Sequence, residues 1–212
     1  MTSVTAVNHP LVKHHLARLR DGETPPAEFR TLVQRLAVLL AYEATKDLQL
    51  AEIEVQTPLT TTPGQVLQQR VGVVPILRAG LGMVDPVLDL IPDAEVWHLG
   101  LYRDEATAQP VEYYSKLPTA SPVDVALVLD PMLATGGSAA SALAALQRWG
   151  VPTLKLLSLI AAPEGIAALE AQFPDAQVYV CAIDDRLNDQ KFIVPGLGDA
   201  GDRSFNTVPT DS

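Results

Sequence analysis

The chain has 212 residues, 48% of them hydrophobic and 19% charged, enough to bury a core for one domain and too apolar for an intrinsically disordered chain. Fifteen Lys and Arg against 25 Asp and Glu leave a formal charge of -10, and no run of Lys and Arg exists, so a general nucleic-acid binder is excluded. The longest charge-free stretch, 131–147, is broken by Pro131, Gly136, Gly137, Ser138 and Ser141, so no membrane span is expected, and the single Cys181 has no partner within the chain.

The first residues, MTSVTAVNHPLVKHH, show no basic segment followed by an apolar one, and a cytoplasmic location is expected. A helical segment is predicted over about 10–50. Pro10 opens a short helix with Leu11, His15, Leu16 and Leu19 at helical spacing. A longer helix follows Thr24-Pro25-Pro26, from about Ala27, with Phe29, Leu32, Val33, Leu36, Leu39, Leu40 and Ala44 on one face. Residues 51–55 alternate Glu52 and Glu54 with Ile53 and Val55, a strand pattern. From Gly72 onward short apolar runs alternate with helices. Strands are predicted at 73–77, 96–101, 123–129, 154–160 and 178–182, and helices at 83–90, 138–149 and 164–172, with Gly150 at a left-handed cap. That alternation predicts an α/β fold: a mainly parallel central sheet flanked by helices, in one domain over 1–212. Ligands in such sheets bind at the carboxyl ends of the strands.

One such end carries the strongest local signal. In VALVLDPMLATGGS, residues 125–138, an apolar strand ends in Asp130, a turn ends in Thr135-Gly136-Gly137-Ser138, and an Ala-rich helix begins. Free N–H groups at a helix start, with glycine allowing close approach and Thr and Ser adding hydroxyls, cradle an anion. Asp130 at the strand tip can accept hydrogen bonds from a vicinal diol. An ordinary strand–turn–helix with Ser138 as N-cap fits TGGS alone; the acid ahead of it favours the cradle. A triphosphate P-loop lacks its Lys here, and G-x-G-x-x-G is absent.

This segment resembles the phosphoribosyl-diphosphate (PRPP) loop of the type I phosphoribosyltransferases. With Pro131 where most of that superfamily has a second acid, it is similar to the uracil phosphoribosyltransferase branch. VPILRAGLGM (74–83), GLYRDE (100–105) and VPGLGDAGDR (194–203), together with YEAT (42–45) and AAPEG (161–165), carry the resemblance along nearly the whole chain in order.

The resemblance implies transfer of phosphoribosyl from PRPP to N1 of uracil, giving UMP and diphosphate. PRPP would be held by Arg78, Arg103, Asp130, Pro131, Met132, Leu133, Ala134, Thr135, Gly136, Gly137, Ser138 and Asp199. Residues 135–138 take the 5′-phosphate, Asp130 the ribose hydroxyls, and Arg78 and Arg103 the diphosphate. A non-prolyl cis peptide near Arg78–Ala79 is implied, with small Ala79 and Gly80 letting the backbone approach the ligand. Residues 102–117 form a hairpin flap carrying Arg103 that closes over PRPP and excludes water; Tyr113, Tyr114 and Lys116 are given no role. The Gly-rich segment 190–206 holds uracil through Ile193, Gly198, Asp199 and Ala200, its main chain reading the base like a pairing edge. Asp199, Arg103 and Asp130 are the implied catalytic residues, Asp199 orienting the base or favouring loss of N1–H. Mg²⁺ is the implied cofactor, held mainly through PRPP rather than by protein ligands. GTP as an activator and a homodimer or homotetramer are implied as well.

Two other readings share the loop. A sibling enzyme acting on another nucleobase would differ over 193–200, where this chain resembles the uracil branch. An RNA-binding regulator on the same fold would need a basic face, which a charge of -10 opposes. The remaining ionisable residues read as structural: adjacent His14 and His15 point apart on a helix, His98 packs within a strand, Cys181 is a small buried hydrophobe, and Trp97 and Trp149 belong to core or interface. Pro86, Trp97 and Asn206 stand where relatives often carry small residues, with altered packing the expected consequence.

Overall fold

The structure is a computed structural model that describes residues 3–103, 110–115, 117–118 and 120–207, with backbone alone at 100–103 and 110–115. In chain order, β1 (Ser3–Ala6) is followed by α1 (Pro10–Arg20), α2 (Pro26–Ala44), β2 (Leu50–Gln56), β3 (Thr61–Leu67), β4 (Val71–Pro75), α3 (Val84–Leu90), β5 (Glu95–Val96), β6 (Leu99–Arg103) and β7 (Pro110–Ser115). The rest comprises β8 (Val125–Leu129), β9 (Met132–Leu133), α4 (Gly137–Trp149), β10 (Thr153–Ala161), α5 (Pro163–Gln172), β11 (Gln177–Ile183), β12 (Arg186–Leu187), β13 (Ile193–Val194) and α6 (Ala200–Phe205).

The apolar runs pair as one parallel sheet in the order β1-β11-β10-β8-β4-β5, with β9 beside the end of β10. Side chains alternate across β8 because a strand has a period of two. Val125, Leu127 and Leu129 join the core with Phe29, Leu32, Leu36 and Leu40 of α2. Ala126 and Val128 face the opposite core with Leu143 and Leu146 of α4. Burying each such Leu or Phe stabilises the fold by about 1.5–3 kcal/mol. Lys155 is also buried: its Nζ donates to Ala44 O at 2.6 Å and pairs with Asp47, tying β10 to the end of α2. Three antiparallel pairs, β2–β3, β6–β7 and β12–β13, stand outside the sheet.

The predicted α/β architecture is the one observed, and helices α2, α4 and α5 start within a residue of their expected positions. Proline opens α1, α2 and α5 at N1, where the lost N–H costs nothing. α4 ends on Gly150 at φ 98°. Elsewhere tertiary partners move the boundaries. The strand expected at 73–77 is β4, two residues earlier, because the ladder to β8 ends at Pro75. The strand expected at 96–101 breaks at Trp97–His98, since β6 leaves the sheet to pair with β7. A 3-10 turn over Ala79–Met83 precedes α3, so that helix starts at Val84.

Some packing differs too. α1 turns Val12, Leu16 and Leu19 inward and leaves Leu11 49% exposed. In β2, Ile53 and Val55 stay exposed, because the β2–β3 hairpin lies on neither core. The rings of His14 and His15 touch edge-on at 5.2 Å instead of pointing apart. His98 is exposed outside the strands rather than packed. Trp97 and Trp149 meet edge-on with ring centroids 5.5 Å apart, and Cys181 is buried, its thiol pushed up to about 12 by desolvation. Asn206 caps α6 at φ 55°, a left-handed conformation that Asn tolerates better than most residues. No helix among the described residues is long and apolar enough to cross a membrane.

Candidate active site

Asp130 prolongs β8 by one residue, its N–H donating to Leu157 O at 3.2 Å, and its carboxyl opens at the strand tip. Burial pushes that carboxyl up to about 7, while the Met132 N–H, donating to Oδ1 at 3.3 Å, pulls the other way. An acid desolvated to that degree gains most when hydroxyl donors or a cation arrive.

The chain then turns into α4. Gly136 occupies the N-cap at φ 82°, so Ser138, the cap in the ordinary strand–turn–helix reading, lies within the first turn instead. A cavity of about 190 Å³ opens there, lined by Asp130, the loop Met132–Gly136, the helix start Gly137–Ala139, and Lys191. The N–H groups at the start of a helix have no intrahelical acceptor, which makes this wall electropositive. The loop can sit where it does because of Gly165 in α5: a Cβ there would lie 2.4 Å from Ala134 O and 2.9 Å from Leu133 O.

A second cavity, of about 330 Å³, shares Asp130, Met132 and Ser138 with the first and adds Arg78, Ala79, Asp199 and Gly201. Its wall carries a cis peptide at Leu77–Arg78, one bond before the position implied by resemblance. Gly80 is small for a different reason from the one expected: a Cβ would lie 2.3 Å from Leu129 O, so the glycine lets the turn close on β8, not on a ligand. Arg78 projects into solvent and donates to Asp202 Oδ1 at 3.2 Å. Asp199 caps α6, its Oδ1 accepting the Asp202 N–H at 2.8 Å.

The segment leading to Asp199 is braced from a distance. Arg20 of α1 donates to Asp184 Oδ2 at 2.8 Å and to Gly196 O at 2.7 Å, and also pairs with Asp184 Oδ1. Asp184 in turn accepts the Gly196 N–H at 2.9 Å. Arg203 donates to Leu19 O at 2.8 Å, to Leu197 O at 2.7 Å and to Asp21 O, its guanidinium lying 4.4 Å over the Phe29 ring. The sequence gives no sign that Arg20, Asp184 and Arg203 act together, because the partners lie about 160–180 positions apart.

The two cavities thus gather Arg78, Asp130, Met132, Leu133, Ala134, Thr135, Gly136, Gly137, Ser138 and Asp199. Pro131 stands behind them, buried, its carbonyl accepting the N–H groups of Leu159 and Ile160. Ile193 and Ala200 are buried and Gly198 is exposed beside the second cavity's Asp199; none of the three lines either cavity. Arg103 ends β6 and its side chain lies outside what is described, as do residues 104–109 and Lys116. Lys191 is the one cavity-lining cation that sequence reasoning passed over.

A parallel sheet of this order with loop-built cavities at its carboxyl ends is the architecture of the type I phosphoribosyltransferases. An adenine phosphoribosyltransferase from Rhodothermus marinus shares the fold at TM-score 0.50 and 18% identity, over 70% of this chain and 78% of its own. The uracil phosphoribosyltransferase family profile matches residues 6–207, and the uracil phosphoribosyltransferase of Roseiflexus sp. strain RS-1 is 59% identical over 98% of this chain and 100% of its own. A solved protein from Aquifex aeolicus superposes at TM-score 0.92 with 38% identity, over 98% of this chain and 100% of its own. The chain belongs to the uracil phosphoribosyltransferase family.

Proposed function

We propose that the chain transfers the 5-phosphoribosyl group of PRPP to N1 of uracil, forming UMP and diphosphate for pyrimidine salvage in the cytoplasm. The observation that carries the reading is the pair of adjoining cavities with Asp130 on their shared wall. The smaller takes the 5′-phosphate on the loop and helix-start amides, and Asp130 accepts the ribose hydroxyls between the two. Arg78 and Arg103 take the diphosphate in the larger cavity, where a guanidinium matches two phosphate oxygens. The hairpin over 102–117 closes as a flap, because water reaching an activated ribosyl centre would divert it to hydrolysis.

Uracil lies against the main chain of Ile193, Gly198, Asp199 and Ala200. A site of fixed donors and acceptors rejects cytosine, whose amino group reverses the polarity at position 4. Asp199 orients the base or favours loss of N1–H. Asp199→Asn keeps an acceptor for the Asp202 N–H while removing the charge, so unchanged turnover at saturating substrates would remove this role.

Asp130 and Asp199 are the carboxylates on the larger cavity, and no group of three or more His, Cys, Asp or Glu gathers as a metal cage among the described residues. That donor set fits Mg²⁺ carried mainly by PRPP, which Asp130 and Asp199 would help to hold. The chemistry the ion would supply when bound is neutralisation of charge on the diphosphate. A homodimer or homotetramer and GTP as activator complete the proposal; sedimentation and a GTP titration of turnover test them.

The deciding experiment supplies PRPP and Mg²⁺ with one nucleobase at a time and follows diphosphate. Release with uracil alone supports the reading. Release with hypoxanthine or adenine at the same rate, or none with uracil, overturns it.

A further inference from the structure

We infer that Lys191 supplies the cationic contact for the 5′-phosphate, delivered to the cradle by the β12–β13 hairpin. The inference rests on the reading above and adds a residue to it. A phosphate monoester near neutral pH carries close to two negative charges. Asp130 and residues 132–139, which form the rest of the cavity wall, include no Lys, Arg or His, and Asp130 is an acid. The start of α4 offers only about half a positive charge, in a chain whose formal charge is -10. Among the described residues, Lys191 is the single basic residue on the cavity wall.

The hairpin holds it there by local hydrogen bonds. Lys191 N–H donates to Asn188 O at 2.9 Å, and Asn188 N–H donates to Phe192 O at 2.9 Å. Phe192 N–H donates to Asn188 Oδ1 at 2.8 Å. Within this turn Lys191 sits at φ 66°, a conformation that suits glycine and is uncommon for a long side chain. A lysine at such a position, on a wall whose other described residues carry no positive side chain, points to a role for its ammonium group.

The hairpin is also hooked to the cradle's far support. Leu187 N–H donates to Glu164 Oε1 at 2.9 Å, one residue before the Gly165 that lies against the loop. The Glu164 carboxyl is held below its ordinary range mainly by that bond, with Lys191 and Arg186 adding smaller pulls. No ion pair fixes the Lys191 ammonium among the described residues, and the side chain is exposed, so the stem can swing onto a phosphate oxygen.

Steady-state kinetics of the full chain with PRPP, uracil and Mg²⁺ test this. Lys191→Gly keeps the left-handed turn and removes the charge. It should raise KM for PRPP about tenfold, the loss of one charge-assisted contact, and leave KM for uracil within twofold. It should also flatten the rise of that PRPP KM with added salt. Lys191→Arg should stay within about threefold of the wild type, and Lys191→Glu should exceed the glycine variant's loss. The Arg and Glu variants share a Cβ and its turn preference, so their difference reads charge even if glycine loosens the hairpin. Wild-type PRPP kinetics and salt dependence in both Lys191→Gly and Lys191→Glu would overturn the inference while leaving the proposed activity standing. A wild-type chain that releases no diphosphate with uracil would instead refute the reading on which the inference rests.

Discussion

The two halves of the proposed site are built by opposite means. Residues 130–138 are fixed by what adjoins them in sequence: a sheet strand, a glycine cap and a 13-residue helix. Residues 193–203 own only a two-residue strand and part of the six-residue α6, and they are held by Arg20, Asp184 and Arg203 reaching across the fold. Where secondary structure sets the geometry, backbone amides can be offered without side-chain help. Where it does not, the Arg20–Asp184 pair and the Arg203 fork must supply the rigidity.

The contrast is sharpest for Asp130, which should show the largest effect. Asp130→Ala removes the proposed acceptor of two ribose hydroxyls, each bond to a charged group worth about 1.5–3 kcal/mol. PRPP affinity should fall at least a hundredfold, with uracil affinity much less affected. Equal PRPP affinity in calorimetry would contradict the diol assignment.

The clamp on the other half comes next. Asp184→Ala strands the Arg20 charge and leaves the buried Gly196 N–H without its acceptor, and it should cost about 3 kcal/mol in denaturant unfolding. KM for uracil should rise while PRPP binding holds. If both substrates weaken equally, the two halves are not separately supported.

Gly165→Ala addresses the first half from behind. Its new Cβ would press on Ala134 O and Leu133 O, so the loop must shift, at about 1–3 kcal/mol and with weaker PRPP binding. Gly22→Ala, with nothing within 4 Å, serves as the control and should leave both unchanged.

The smallest effect is in pH. Asp130 has a folded pKa of about 7 against a reference of 3.8, so folding favours its protonated form. That contribution is complete below about pH 4 and is lost as pH rises through about 7. Asp130→Asn lacks the loss, so the ligand-free variant's Tm should pull ahead of the wild type's by a few degrees between pH 5 and pH 8. A constant gap would mean that burial does not burden this carboxylate.

The same division explains what could be read from the sequence. Strand, acid, Thr-Gly-Gly-Ser and helix are contiguous at 130–138, so the loop and its cavity were legible from order and spacing. The braces on the later segment were not, because nothing local relates Arg20 to Asp184 or Arg203 to Leu19. Gly80 was legible as a close approach but not for its partner: Leu129 O lies on a strand some fifty positions on. Lys191 carries no signal in the sequence, because only the fold puts the β12–β13 hairpin on the same cavity wall as Gly137 and Ser138. Alternation at 51–55 marked a strand correctly, yet could not reveal that its apolar face is uncovered, since period alone says nothing of what packs there.

A crystal structure of the chain with UMP bears most directly on the account. The account predicts the phosphate against the amides of residues 135–138 with the Lys191 ammonium in reach, the ribose hydroxyls on Asp130, and the pyrimidine edge against the main chain of 193–200. A pyrimidine bound away from that segment, or a phosphate outside the cavity at the start of α4, would contradict it.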